Sequence, residues 1–166
     1  MPSISTLIHT NNDERRLGRA LETLRGCDEI FVVDHGSTDK TVHIARQHGA
    51  TIVKAVPGVD HGAYAIDCRH DWVLLLAPDE IVTESLEASL LQWKRAKPGD
   101  CIGYAINVRE QTLDGANHGN NEMRLVNRKK INWQGFAPAT TPGCAILPGD
   151  MIRLAADEET APNPPA

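Results

Sequence analysis

The chain has 166 residues, 41% hydrophobic and 23% charged, which is enough for one compact core and hardly for two. A net charge of −5, no basic run and 4% aromatic residues exclude the basic stripe and stacking platform that nucleic-acid binding needs. No apolar stretch approaches a membrane span, no charged-then-apolar leader opens the chain, and Cys27, Cys68, Cys101 and Cys144 are spaced as reduced thiols, so a cytoplasmic location is expected.

In chain order, residues 3–9 read as a first strand, and residues 13–24 as a helix with Leu17, Ala20, Leu21 and Leu24 on one face. Residues 29–34 read as a second strand and residues 40–48 as a helix that stops at Gly49. A third strand over 51–56 precedes a Pro-Gly loop and a short helical segment over 63–68. The continuous apolar run 72–76 suits a central parallel strand covered on both faces, and residues 83–93 a helix with Leu86, Leu90 and Trp93 on one side. Alternating strands and helices imply right-handed βαβ units and a parallel sheet.

Beyond Pro98-Gly99-Asp100 the pattern changes. Residues 101–109 alternate as a strand does, 114–121 form a polar turn or mobile loop, and 122–127 a returning strand. The proline-rich end, from residue 156, is expected to be disordered. The expected organisation is one α/β domain over 1–155, with a ligand-binding half over 1–97 and a smaller half over 98–155, followed by the tail 156–166.

The most informative stretch is Ile30-Phe31-Val32-Val33-Asp34-His35-Gly36-Ser37-Thr38-Asp39-Lys40-Thr41. An apolar strand ends in an acidic residue, a glycine turn follows, and Ser37, Thr38 and Asp39 stand where a helix is capped. At the carboxyl end of a parallel strand, Asp34 faces the crevice where open α/β sheets bind ligands. Its carboxylate can accept from a pyrimidine N–H or a ribose hydroxyl. The alternative is that Asp34 and Asp39 serve only as turn and cap residues.

Three segments carry a family resemblance: Ile4 to Glu14 with its Thr10-Asn11-Asn12-Asp13-Glu14 turn, Val32 to Thr41, and Asp71-Trp72-Val73-Leu74-Leu75-Leu76-Ala77-Pro78-Asp79-Glu80. In order and spacing they resemble the family 2 glycosyltransferases, particularly the branch associated with lipopolysaccharide core and related surface glycans. The resemblance implies a GT-A-like, doubly wound, mostly parallel sheet. It implies inverting transfer of a sugar from a nucleotide-diphospho-sugar, a UDP-sugar foremost, to a glycan or lipid-linked acceptor. It places Thr10, Asn12, Asp34, Asp39 and Ala77 at the nucleotide, and Asp79 at a Mg2+ or Mn2+ ion that neutralises the leaving diphosphate. Arg124 and His61 fall where phosphate contacts are expected; pairing with an acidic neighbour is the other reading of Arg124, and an ordinary surface histidine that of His61. Glu122 is the candidate general base beside Asp79, with Glu110 and Asp114 as the other carboxylates in range.

The chain departs from the family pattern at three places. Ala77 replaces the first carboxylate of the Asp-x-Asp motif, so Asp79 and Glu80 stand alone, or else form a solvated strand-to-helix turn. Phe136-Ala137-Pro138-Ala139 stands where a Val-His-Glu is common, and His61-Gly62 roughly where Arg/Lys-Asn is usual. These losses motivate a second hypothesis, a catalytically inactive nucleotide-sugar-binding module partnering an active homologue or forming an oligomer. A third, another nucleotide-using α/β enzyme such as a nucleotidyltransferase, is disfavoured because no Gly-rich phosphate loop with a following Lys is present. His9 and His35, each at a strand end, can stack near a base or ribose, or with Asp79 hold a transition metal such as Zn2+.

Overall fold

The structure, a computed structural model, describes residues 2–96, 98–111, 119–131, 133 and 144–155. The expected disordered tail, Asp114 and the Phe136 to Ala139 stretch lie outside the described residues. The strands are β1 (Ile4–Thr10), β2 (Glu29–Asp34), β3 (Thr51–Lys54), β4 (Trp72–Leu75), β5 (Glu80–Val82), β6 (Gly103–Glu110), β7 (Gly119–Asn127) and β8 (Ala145–Arg153). The helices are α1 (Leu17–Glu22), α2 (Thr41–Gln47) and α3 (Glu84–Arg95), and a 3₁₀ segment spans His61–Asp67.

All eight strands join one sheet, in the order β3-β2-β1-β4-β7-β6-β8-β5. The first four are parallel neighbours, and β6 with β8 is a further parallel pair, whereas β4–β7, β6–β7 and β5–β8 are antiparallel. This is the doubly wound, mostly parallel, GT-A-like arrangement that the resemblance implies, with the antiparallel pairings gathered in the second half.

Each face of the sheet buries its own apolar layer. On one face Leu17, Ala20, Leu21 and Ala45 of α1 and α2, with Leu86, Leu90 and Trp93 of α3, pack on Ile4, Ile8, Val32 and Leu74. On the other, Tyr64, Ala65 and Cys68 of the 3₁₀ region cover Leu7, Phe31, Val33, Val73 and Leu75. Alternate residues of β1 and β4 serve opposite layers, as strand geometry requires, and both strands are buried along their whole length. Helix α3 begins at Thr83, whose hydroxyl accepts from the Leu86 N–H at 3.3 Å, and ends with Trp93 edge-on to Trp72, ring centres 5.0 Å apart.

Two strands were not anticipated from the sequence. β5 has only three residues, below what periodicity can register. β8 contains Pro148 and Gly149, which read as loop signals, yet both fit a bulge: Ala105 pairs with Ile146 and Asn107 with Asp150, so the extra residues sit outside the ladder. Elsewhere β7 starts at Gly119, inside the stretch expected as a polar loop.

Candidate functional site

The carboxyl ends of β1 and β2 lie side by side, Thr10 opposite Asp34. The turns that follow them are laced together. Buried Asp13 accepts from Thr10 Oγ1 at 2.7 Å, from the Asn11 N–H at 3.0 Å and from Arg16 Nη2 at 2.7 Å, while its own N–H donates to Thr41 Oγ1 at 2.8 Å. Asn12 adopts a left-handed φ of 52°, which Asn tolerates. Its N–H donates to Ser37 Oγ at 2.9 Å and its Oδ1 accepts from the Thr38 N–H at 2.8 Å. Asp39 accepts from the N–H groups of Thr41 at 2.9 Å and Glu14 at 3.3 Å. Asp34 is buried, and its carboxylate meets the N–H of Ser37 at 3.2 Å. Thr10, Asn12, Asp34 and Asp39 thus share one strand edge, each with a hydrogen bond that fixes its orientation. Asp13, which organises three of these contacts, was not singled out in the sequence; its burial arises only when the two turns meet.

Three imidazoles converge beside this edge. His9 Nδ1 lies 2.9 Å from His35 Nε2, and His9 Nε2 lies 2.9 Å from the carbonyl oxygen of His61. The His61 ring stacks on His9 with centres 4.2 Å apart. Burial first, then the charges of His61 and His35, push His9 down to about 4, although its bond to the His61 carbonyl acts the other way. Burial and His61 also lower His35. A cavity of about 330 Å³ opens here, lined by His9, Thr10, Asp13, His35, His61 and Asp79 among others. A second, of about 420 Å³, shares His35 and His61 and runs along the loop after β3.

Across the first cavity, Ala77 to Asp79 leave the end of β4. The Ala77 N–H donates to Glu80 Oε1 at 2.7 Å, and the Asp79 carbonyl accepts from the Leu154 N–H at 2.9 Å. Half-buried Asp79 is held above the usual carboxylate range, by burial and then by the charge of Glu80. Glu80 itself is fully buried and takes a bidentate bond from Arg124, with Nη1 at 2.7 Å and Nη2 at 2.8 Å. Arg124 also donates to Glu122 at 2.7 Å and to the Leu75 carbonyl at 3.2 Å, so the pairing reading of its sequence position describes its contacts. Antiparallel register sets Leu125 opposite Leu74, which carries Glu122 past the carboxyl end of β4 toward the same edge. Arg153 joins this cluster, 3.2 Å from Glu80, 3.4 Å from Glu110 and 4.0 Å from Glu122. The pairing of buried Glu80 with half-buried Arg153 was invisible in the sequence, because β5 and β8 had not been recognised.

The donor set decides which ions fit. A hard cation takes carboxylate, phosphate and water oxygens. Of the two carboxylates lining the 330 Å³ cavity, Asp13 is saturated by Thr10, Asn11 and Arg16, whereas Asp79 forms no ion pair among the described residues. Asp79 is therefore the carboxylate of this cavity that could hold a hard cation.

Residues 5–153 match the family model for glycosyl transferase family 2. An uncharacterized glycosyltransferase of Rickettsia typhi is 44% identical over 91 residues, covering 52% of this chain and 31% of the relative. The lipopolysaccharide core biosynthesis glycosyltransferase LpsC of Rhizobium meliloti is 28% identical over 148 residues, 76% of this chain and 52% of that protein. Glucosyl-3-phosphoglycerate synthase from Mycobacterium tuberculosis, solved with Mg2+ and UDP, superposes with a TM-score of 0.48 at 20% identity, covering 69% of this chain and 45% of that one. The chain spans about a third to a half of the length of these curated relatives.

Proposed function

The chain belongs to glycosyl transferase family 2, and from that premise we propose that it binds a nucleotide-diphospho-sugar, a UDP-sugar foremost, and transfers the sugar with inversion to a glycan or lipid-linked acceptor. The observation that carries this reading is that Thr10, Pro78 and Asp79 line one open cavity at the carboxyl edge of parallel β1, β2 and β4, with Asp34 paired beside Thr10.

In this reading Asp34 accepts from the nucleobase or ribose, with Thr10, Asn12 and Asp39 holding the surrounding turns. His61 faces the phosphates. The acceptor hydroxyl attacks the anomeric carbon as the bond to the diphosphate oxygen breaks, and the hydroxyl proton passes to Glu122. Mg2+ or Mn2+, held by Asp79 when bound, supplies positive charge to the departing diphosphate. Arg124 orients the Glu122 carboxylate, to which its Nη2 donates at 2.7 Å. No helix among the described residues is long and apolar enough to cross a membrane.

Ala77 favours a second reading, a nucleotide-sugar-binding module without turnover that works beside an active homologue, because the motif has lost one of its carboxylates. Calorimetric titration of UDP, GDP and UDP-sugars, with and without Mn2+, tests both. Tight UDP binding that needs Mn2+ and is abolished by Asp34→Ala supports the shared site, and hydrolysis or transfer of the sugar then separates enzyme from module. Absence of nucleotide binding overturns both.

A further inference from the structure

We propose that His9, His35 and His61 form a binding site for a borderline divalent transition metal of the Zn2+ or Co2+ class, in the wall of the cavity that also holds Asp79. The transfer chemistry above uses His61 at the phosphates but calls for no ion on the three histidines, and this site rests on its own geometry.

The three ligands come from separate segments: the end of β1, the turn after β2 and the first residue of the 3₁₀ segment. One potential ligand atom from each lies within 4.8 Å of the others. Zinc–nitrogen bonds of about 2.0–2.1 Å set neighbouring ligand atoms roughly 3.4 Å apart in a tetrahedral shell. His9 Nδ1 and His35 Nε2 share a hydrogen bond of 2.9 Å, so an ion would take the place of its proton as the two nitrogens move apart.

The surroundings of His9 are those of a metal ligand. Its Nε2–H donates to the His61 carbonyl at 2.9 Å, and in that tautomer its Nδ1 accepts from His35 Nε2–H at 2.9 Å. A ligating histidine commonly has its other ring nitrogen fixed in this way, by a carbonyl that sets tautomer and ring angle. Tyr64 packs edge-on to His9 at 5.5 Å, and its own hydroxyl is anchored by the Val56 N–H at 2.6 Å. The ring is thus oriented before any ion arrives. His35 and His61 are the accessible partners, and both face the two cavities.

The chemistry of the donors distinguishes this site from Asp79. Three imidazoles suit Zn2+, Co2+, Ni2+ or Cu2+ and discriminate against Mg2+, which prefers oxygen. Three protein ligands also leave a fourth position open toward the cavity, where water or an anionic group of a ligand can enter.

The test uses the untagged chain, stripped with a chelator and titrated with Co2+, followed by visible absorption, and with Zn2+ in a calorimeter. One ion per chain, with intense d–d absorption, is expected without nucleotide. His35→Gln and His61→Gln, at positions that are not buried, should each weaken Co2+ at least roughly tenfold. Exposed His43→Gln on α2 should leave it unchanged. Thermal melts of the variants confirm that the fold is retained. Failure to bind Co2+ or Zn2+ stoichiometrically, or binding indifferent to His35→Gln and His61→Gln, overturns the proposal. UDP titration of the same preparation scores the transferase reading separately, so the two can fail independently.

Discussion

Arg124 and Glu80, 44 positions apart, form a bidentate ion pair with 3% and 0% of their side-chain surfaces exposed. The pair ties β7 to the turn that carries Asp79. Burial alone would lower the Arg124 pKa, but the hydrogen bonds and charges of Glu80 and then Glu122 raise it instead. Breaking a buried pair from one side costs about 3–5 kcal/mol where the other charge is left alone, and less here, because Glu80 keeps Arg153 at 3.2 Å and Arg124 keeps Glu122 at 2.7 Å. Arg124→Met should therefore lower the urea midpoint, and Glu80→Gln should do likewise. The double variant should recover much of the loss, since neither charge is then orphaned. Equal losses in the single and double variants would mean the pair is not the source of the effect.

In the proposed function Asp79 and the position of Ala77 govern the binding of a hard cation. Asp79→Asn should reduce Mn2+-dependent UDP affinity at least tenfold, about 1.4 kcal/mol, with little change in metal-free binding. Ala77→Asp should raise Mn2+ affinity, because the backbone at Ala77 is already held by Glu80 and the new carboxylate completes the motif. Calorimetry on both variants checks this. Raised metal affinity without sugar transfer would favour the inactive module.

Gly149 is required by both conformation and space. Its φ is +100°, and a Cβ there would lie 2.5 Å from the Leu86 Cα and 2.6 Å from the Leu86 nitrogen. Both obstacles are α3 backbone, which cannot rotate away. Gly149→Ala should cost about 1–3 kcal/mol from overpacking, with roughly another 1 kcal/mol from left-handed strain. A chemical denaturation curve gives the value, and an unchanged midpoint would show that β8 does not close on α3 as described.

Burial, and then the charge of Glu29, push the Cys68 thiol up from 9.0 to about 12. In the folded chain it stays protonated well above neutrality, so iodoacetamide at pH 8 should modify it at least roughly a hundredfold more slowly than in urea. The linkage has a definite sign. The unfolded thiol ionises first, so its contribution to stability is complete below about pH 9 and is lost as pH rises toward 12. Peptide mapping of labelled Cys68 against pH reads this directly.

Much of the chain was legible without coordinates. The run Ile30 to Asp34, the Gly36 turn and the Ser37-Thr38-Asp39 sequence carry local signals of strand, turn and helix start, and the structure has β2 and α2 where those signals fall. The same holds for β1, β4 and α3, whose apolar periodicities are set by burial on one or both faces. Asp34 was read from its place at a strand end, and Thr10 and Asp79 from the family resemblance; the structure has them at or after the ends of β2, β1 and β4. What only the tertiary structure decided is which distant groups meet. β8 hides behind Pro148 and Gly149 until a bulge in the ladder with β6 absorbs them, and without β8 the Glu80–Arg124–Arg153 network has no visible cause. His9, His35 and His61, 26 and 52 residues apart from the first, have no ligand spacing in the sequence. Their convergence follows from the parallel pairing of β1 with β2 and the return of the 3₁₀ segment beneath them, and chain proximity of that kind is a property of the fold, not of any local run of residues.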